Sequence, residues 1–355
     1  MTITVDCRML KASGVGVYLE GNLPFLLKSS NDFLLLGNEN LLEPYAKKEN
    51  VKIVNCKIKP FSVSELIFFP KKIKNQINKT SCYYSPFFNI PGGLTVPVYT
   101  TIHDIIFPDM PELTSKLGLF IRMIFFRRCF RLSKKIFTVS LFSKARIDFY
   151  SKNKTKTVVT YSAIQTKFLE SYAQKPNPDK NKTIVFIGNI KKHKGLDYLL
   201  EAFALARQEG LTHKLIIIGS RNNFRTSDKT IQKNIKTLSS DAVFFTGFVS
   251  TEQLMNYIST SELLVQPSLY EGFCLPPLEA LVLGTNVLIS DIPVLKEIYE
   301  DFPVTFFRAG DKIDLKNKLL EQLGQKKLQP QLTNNHLSKY TFEKTASIIL
   351  GELLT

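Results

Sequence analysis

A repeated alternation of short β-rich runs with helical stretches constrains the fold of this chain more than any other feature. The runs are brief, apolar and rich in β-branched or aromatic residues, as is typical of parallel strands buried on both faces. The strands predicted in the first half are Ile3–Asp6, Phe33–Leu36, Val51–Val54, Cys82–Tyr84, Val98–Ile102, Ile136–Val139 and Val158–Tyr161. Those predicted in the second half are Ile184–Ile187, Leu215–Ile218, Val243–Phe245, Leu263–Gln266, Val287–Ser290 and Val304–Phe307.

The two series of strands predict two doubly wound α/β domains, which suits a length of 355 residues. The polar stretch QKPNPDKNK separates the series, and we interpret 166–182 as a linker between domains 1–165 and 183–338. Ligands of such sheets bind at the carboxyl ends of the strands. Two such edges facing each other would make a deep cleft.

The charge is uneven along the chain. Of the net charge of +16, residues 1–165 carry +13, from 24 Lys and Arg against 11 Asp and Glu. A basic half indicates a polyanionic partner: an anionic membrane surface, a phosphate-rich substrate or nucleic acid. Charge alone does not choose among the three.

Several classes of protein are disfavoured. The five cysteines are odd in number and include no C-x-x-C pair, which argues against a disulfide framework or a structural zinc site. Apolar runs are too short for a membrane-spanning helix, and Asp6 and Arg8 interrupt any signal-peptide stretch. We therefore expect a cytoplasmic protein.

The strongest motif is YEGFCLPPLEAL, at 270–281, directly after a predicted strand. Glu271 and Glu279 lie eight residues apart across a loop and a helix start that Pro276 and Pro277 suit. Two such carboxylates can hold hydroxyls on two parts of one ligand, and a helix start favours a diphosphate. The alternative is a capping carboxylate and a solvated one.

A lysine-rich turn, GNIKKHKG at 188–195, follows the strand Ile184–Ile187. Its Lys191, Lys192 and Lys194 can neutralise a diphosphate leaving group. A solvated basic loop is the alternative interpretation.

Weaker signals lie in the first half. Gly14 and Gly16, in GVGVY, allow backbone amides to approach a phosphate or sugar, although a tight turn without ligand is the commoner explanation. His103, with Asp104, follows a predicted strand, and two interpretations are open: a contact to the transferred sugar or the acceptor, or a hydrogen-bonded surface or core histidine. Ser140 and Ser143 are expected as helix caps rather than nucleophiles.

These segments resemble family 4 retaining glycosyltransferases of the GT-B fold, strongly from Thr183 to about Pro293. GVGVY, TIHDIIFPDMPE and TVSLFSK also resemble the mannosyl- and rhamnosyltransferase-like branch, which assembles lipid-linked bacterial polysaccharides such as O-antigen and capsule. The final TFEKTASIILGELL is similar to the family's C-terminal helix, so 339–355 is expected to pack back at the domain junction.

The resemblance implies a role for each candidate residue. Glu279 binds ribose hydroxyls, Glu271 contacts the donor sugar and Lys194 binds the diphosphate. His103 lies near the sugar or acceptor. The remaining donor-binding residues are Gly14, Gly16, Lys191, Lys192, Gly247, Gly272, Phe273, Cys274 and Leu275. Two departures are Asn189, where many members have Arg, and Cys274, where Gly is usual, so the donor sugar stays open.

The implied reaction transfers a hexose with retention from a nucleotide diphosphate-sugar to a glycan or lipid-linked glycan. Lys194 and the Pro276–Pro277 helix start would stabilise the departing diphosphate. We favour GDP-mannose weakly; dTDP-rhamnose and UDP-sugars stay open. No D-x-D motif is present, so no metal and no cofactor beyond the substrate are expected. A nucleotide-sugar epimerase or phosphorylase of the same fold is an alternative.

A basic amphipathic stretch, LGLFIRMIFFRRCFRLSKK at 117–135, suggests peripheral contact with the inner, anionic face of a membrane. The alternative is that its broad apolar side packs inside the first domain. Nucleic-acid binding is suggested by charge alone, and because no RNA-binding aromatic motif or zinc finger is apparent, we do not expect it.

Overall fold

The chain forms two compact units in a computed structural model that describes residues 1–152, 156–172, 180–219, 242–324 and 329–355. The first unit combines Met1–Ala163 with Lys339–Thr355, and the second is Ile164–Ser338. Each unit is built on one sheet in which neighbouring strands run parallel. Parallel neighbours need long crossover connections, which the helices provide.

The sheet of the first unit contains all seven strands predicted in that half, with ends shifted by a few residues. They are β1 Thr2–Asp6, β2 Asp32–Gly37, β3 Val51–Asn55, β4 Cys82–Ser85, β5 Val98–Ile102, β6 Ser133–Thr138 and β7 Thr157–Val159. Their order is β3-β2-β1-β4-β5-β6-β7. The strand order reverses between β1 and β4, where doubly wound sheets bind ligands.

Within residues 1–152, seven α-helices follow these strands. They are α1 Ser13–Leu26, α2 Glu39–Ala46, α3 Val63–Leu66, α4 Lys71–Ile77, α5 Ile106–Asp109, α6 Lys116–Leu132 and α7 Leu141–Ser151. The core on one side of the sheet joins strand residues such as Leu36 and Tyr83 to Phe126 of α6. Burial of these apolar side chains holds the helices on the sheet.

The second unit repeats the pattern with the six strands predicted for it. They are β8 Asn181–Ile187, β9 Lys214–Ile218, β10 Val243–Gly247, β11 Ser261–Gln266, β12 Asn286–Ser290 and β13 Thr305–Phe307. The order is β10-β9-β8-β11-β12-β13, so the reversal lies between β8 and β11.

The helices of the second unit pack by ordinary amphipathic spacing. They are α8 Thr166–Tyr172, α9 Leu196–Gln208, α10 Thr251–Thr260, α11 Pro276–Val282, α12 Pro293–Tyr299, α13 Lys312–Leu323 and α14 Asn334–Leu337. In α9, Leu196, Leu199, Leu200 and Phe203 recur on one face and are fully buried. Ser250 and Gln253 form a capping box that begins α10.

The linker predicted at 166–182 is corrected by the structure. Its first residues form α8, whose Phe168 is buried, and β8 already begins at Asn181. Residues 173–179 lie outside the described residues. The helix α8 was not predicted because its apolar side chains are too few to show a helical period. The polar, proline-containing stretch after it then favoured a linker.

The helix expected in 339–355 is α15, Phe342–Leu353. It belongs to the first unit, where Phe342 lies directly over Gly21 of α1 and Thr345 donates to the Thr160 carbonyl at 3.1 Å. Because Gly21 has no side chain, α1 and α15 can approach each other closely. The chain therefore enters the second unit and returns to finish the first.

Candidate functional site

The turn after β8 and the loop after β11 meet at the reversal of the second sheet. The backbone N–H of Leu269 donates to the His193 carbonyl at 2.7 Å. Gly195 sits against Pro267, where an added Cβ would lie 1.9 Å from the Pro267 carbonyl oxygen, and its φ is +66°. Only glycine satisfies both conditions. The sequence thus locks the lysine-rich turn onto the loop that carries Glu271.

Lys194 and Glu271 form the centre of this site. The Lys194 ammonium donates to both carboxylate oxygens of Glu271, at 2.6 and 2.8 Å, and Ser268 Oγ donates to Oε1 at 2.7 Å. Burial by itself would raise the pKa of Glu271, but Lys194 and Ser268 outweigh it and hold the pKa below its ordinary value. Glu271 is therefore ionised at neutral pH.

Glu279 has the opposite environment. It lies in the first turn of α11, is 5% exposed, and its side chain makes no hydrogen bond to any described residue. Burial raises its pKa to about 7. A buried carboxylate without a partner destabilises the fold, so this position is arranged for a ligand that brings hydrogen-bond donors.

The helix start at α11 is poorer in N–H donors than the sequence suggested. Pro276 and Pro277 occupy its first two positions and have no N–H, and the N–H of Glu279 bonds to the Leu275 carbonyl. Only Leu278 remains in the first turn. This helix start therefore offers a phosphate fewer amides than an ordinary first turn, and the loop Gly272 to Leu275 directly precedes it.

Cys274 lies between the two carboxylates. Burial raises the pKa of its thiol, and the charges of Glu271 and Glu279 raise it further. Its φ is +75°, a left-handed conformation that favours glycine, and Tyr299 holds it by donating to its carbonyl. The unusual Cys274 is therefore a neutral thiol in a constrained loop, beside buried Phe273.

Other predicted donor-binding residues line the same edge of the second sheet. Lys191 and Lys192 are exposed, and Gly272 and Leu275 are half-buried. Gly247 ends β10 and its carbonyl accepts from Gly219 at 3.2 Å.

Two residues of this site were missed by sequence reasoning. Ser268 orients Glu271, and His193 sits among Lys191, Lys194 and Glu271, where burial and then Lys194 lower its pKa to about 4. The signal for His193 was its place inside the lysine-rich turn. Nothing in the sequence marks Ser268.

Gly14 and Gly16, two candidate residues of the first unit, do not lie where the sequence predicted. Both lie inside α1, not in a turn before it. An added Cβ on Gly16 would lie 2.9 Å from the Lys11 nitrogen and 3.0 Å from the Met9 carbonyl oxygen, whereas Gly14 faces open space. Gly16 therefore has a packing role.

His103 follows β5 and is held in one orientation. Its Nε2 donates to the Pro86 carbonyl at 2.9 Å, and its ring meets Tyr18 edge-on at 4.8 Å. Burial lowers its pKa to about 4. His103 is thus neutral at pH 7, and its Nδ1 is a hydrogen-bond acceptor. It suits binding of a sugar hydroxyl rather than a role as a general acid.

A buried ionic network at the reversal of the first sheet also escaped prediction. Arg8 donates to Asp6 at 2.6 Å and to Glu65 at 2.5 Å. Tyr83 and Asn89 donate to Asp6 as well. Glu65, Tyr83 and Asn89 each lie 57 or more residues from Arg8, so no local sequence pattern indicates their contact. Ser140 and Ser143 form the expected cap of α7, with Ser140 Oγ accepting from the Ser143 N–H at 3.0 Å.

Comparison with solved structures identifies the fold. HepE of Anabaena, in complex with UDP and glucose, superposes with a TM-score of 0.65 over 99% of this chain and 95% of its own, at 17% identity. This is the GT-B fold. Residues 168–339, which contain Lys194, Glu271 and Glu279, match the family model of glycosyl transferases group 1. The chain thus has the GT-B fold, and its second unit resembles the glycosyl transferases group 1.

Curated relatives of the chain include two O-antigen chain mannosyltransferases. It is 26% identical to the O-antigen chain mannosyltransferase RfbU of Salmonella typhimurium, over 70% of this chain and 67% of that protein. It is 27% identical to the O-antigen chain mannosyltransferase B of Escherichia coli, over 63% of this chain and 60% of that protein. The mannosyl- and rhamnosyltransferase-like resemblance of its motifs agrees with these relatives.

Proposed function

We propose that this chain is a glycosyltransferase that moves a hexose, mannose by preference, from a nucleotide diphosphate-sugar to a lipid-linked bacterial glycan. The observation that carries the proposal is Lys194 paired with Glu271 beside the unpartnered Glu279. This set supplies one cation for a diphosphate and two carboxylates for hydroxyls on either side of it. GDP-mannose is favoured because the relatives RfbU and mannosyltransferase B are named mannosyltransferases.

Donor binding rearranges the ion pair. Lys194 turns part of its hydrogen bonding from Glu271 to the diphosphate, and Glu271 then accepts from the sugar hydroxyls. Glu279 accepts from two ribose hydroxyls and is ionised in the complex. Glu279 thus gains hydrogen-bond donors that it lacks in the free protein, and Glu271 replaces those that it loses when Lys194 turns to the diphosphate. The complete nucleotide-sugar is therefore bound more tightly than its nucleotide or its sugar alone.

The transfer retains the configuration at the anomeric carbon. The bond from that carbon to the diphosphate oxygen breaks while the acceptor oxygen bonds from the same face. The acceptor proton passes to the departing phosphate oxygen. Negative charge grows on the diphosphate as the bond breaks, and Lys194 with the loop amides of Gly272 to Leu275 stabilises it. The step needs neither a metal ion nor a further cofactor.

Lys194→Met tests the cation. Loss of one such charge-stabilising group lowers kcat by about 100-fold or more. The control is Lys316→Met, which removes a half-buried ammonium of the same unit that pairs with the exposed Glu209 at 2.6 Å, and leaves turnover unchanged. The variant K194M/E271Q shows whether the loss comes only from the uncompensated Glu271. Turnover of Lys194→Met within a few-fold of wild type would overturn the role.

Thermal shifts with GDP-mannose, dTDP-rhamnose and UDP-sugars identify the donor. We expect the largest stabilisation with GDP-mannose, since bound ligand stabilises the folded state by mass action. NMR of the first-formed product reports the anomeric configuration. An inverted product contradicts the retaining mechanism without affecting the donor assignment.

A further inference from the structure

Helix α6 has two apolar sides, and the first unit covers only one of them. Its inward side is buried in the core through Phe125, Phe126, Cys129 and Phe130. Its outward side carries Leu117, Phe120, Ile121 and Ile124, of which Phe120 is 60% exposed. Exposed large apolar residues are normal when scattered singly, but a contiguous group marks an interaction surface.

A second exposed apolar group lies beside the first. Val63 of α3 and the following Ile67 and Phe68 are exposed, Phe68 by 70%. Phe61, just before α3, packs edge-on against Phe125 of α6. Arg128 of α6 donates to the Pro91 carbonyl at 3.1 Å, next to Gly92, whose N–H bonds to the Glu65 carbonyl. The segment that carries the second group thus contacts α6, and we name the two groups together the α3–α6 surface.

The α3 part of this surface is firmly anchored. Ser62 caps the helix by accepting from the Glu65 N–H at 3.1 Å. The Glu65 carboxylate is fully buried and accepts from Arg8, from Asn89 and from the Phe61 N–H, the last at 2.6 Å. A charge buried in good geometry fixes the backbone around it. Ile67 and Phe68 therefore project from a rigid base.

The charges around the surface have one sign. Residues 113–147 contain no Asp or Glu, and residues 56–79 contain only Glu65, which is buried. Exposed basic residues border both apolar groups: Lys57, Lys59, Lys71, Lys72, Arg127 and Arg131. Bulky apolar side chains ringed by basic ones complement an anionic lipid bilayer, where the apolar residues enter the headgroup boundary and the cations meet phosphates.

We propose that the α3–α6 surface binds the protein peripherally to an anionic membrane. Phe68 and Phe120 insert at the headgroup level, and Arg127 and Arg131 pair with lipid phosphates. The surface stands on the geometry above; its use in bringing the enzyme to a lipid-linked acceptor rests on the proposed function. None of the helices of the described ranges is both long and apolar enough to span a bilayer.

Flotation of the full chain with vesicles tests the proposal. Vesicles of phosphatidylglycerol and phosphatidylcholine should bind wild type at least tenfold more tightly than vesicles of phosphatidylcholine alone. The variant F68S/F120S should lose binding to both, and R127Q/R131Q should lose the preference for anionic lipid. All four side chains are exposed, so the fold should persist, which melting curves verify.

The controls use exposed residues of the second unit. Phe244→Ser and Lys214→Gln should float as wild type does. Equal binding of wild type to both vesicle types, or unchanged binding of F68S/F120S, would overturn the proposal. So would sedimentation showing a dimer that F68S/F120S abolishes, because the surface would then join two copies of the chain. Transfer to a water-soluble acceptor should be unaffected by these variants, so failure of flotation and failure of the glycosyltransferase assignment are separable.

Discussion

The two sheets have the same strand order around their reversal, yet they treat the charges there in opposite ways. In the first sheet, the Arg8 side chain is 2% exposed and forms ion pairs with both Asp6 and Glu65. In the second, Lys194 is 21% exposed and faces Glu271, while Glu279 has no partner among the described residues. One arrangement fixes loops, whereas the other is left for a ligand to complete. A shared fold position therefore does not make a shared site.

The largest expected effect comes from breaking the closed network. Arg8→Met leaves two buried carboxylates without a cation, and removal of one partner of a buried pair costs about 3–5 kcal/mol. Urea unfolding followed by circular dichroism measures it. Lys11→Met, which removes an exposed ammonium from the half-buried Glu20, is the control and should change stability by less than about 1 kcal/mol. Equal effects of the two would contradict a structural role for Arg8.

The second prediction concerns the open site, where Glu279→Gln should weaken donor binding yet stabilise the protein. Because the pKa of Glu279 is about 7 in the fold and lower when unfolded, its ionisation destabilises the fold progressively above pH ~4.5 and fully above pH ~7. At pH 8 the variant should gain on the order of 1–3 kcal/mol, whereas at pH 4.5 it should match wild type.

Donor titrations complete this test. Wild-type affinity should fall as the pH drops from 8 to 6, since the protonated carboxyl accepts hydrogen bonds poorly. Glu279→Gln should bind at least tenfold more weakly at pH 8, and its affinity should not vary with pH in this way. Wild-type affinity that is flat across this range would show that Glu279 does not bind the donor.

The smallest effect distinguishes single hydroxyls at the two reversals. Ser268→Ala removes one hydrogen bond from Glu271, and should cost about 1 kcal/mol. The lowered pKa of Glu271 gives stability that is present above pH ~4.5 and lost as pH falls through the folded pKa. Ser268→Ala raises that pKa, so acidification should remove less stability from the variant, and the loss should be complete at a higher pH than in wild type.

Tyr83→Phe is the matching change in the first sheet. It removes a 2.5 Å bond to Asp6 and should cost more, about 1.5–3 kcal/mol, because Asp6 is 2% exposed whereas Glu271 is 8% exposed and keeps both bonds to Lys194. A larger effect of Ser268→Ala would reverse the comparison.

The sequence predicted the strands well because buried parallel strands are continuous apolar runs. It also placed Lys194 and Glu271 at one edge, since both follow strands. It did not predict that Gly14 and Gly16 lie inside a helix, because glycine has low helix propensity, while burial of Tyr18, Leu19 and Leu23 holds α1 as a helix. Contacts such as Arg8 to Glu65 depend on tertiary packing that no local pattern reports.

The position of α15 has a consequence for how the protein is made. The helix completes the first unit through Phe342 on Gly21 and Thr345 on Thr160, but the ribosome reaches it only after translating the whole second unit. A nascent chain can therefore form the seven-stranded sheet early, while the side of α1 that packs against α15 is still exposed to solvent. Folding of the second unit therefore comes between formation of the seven-stranded sheet and packing of α15 against α1.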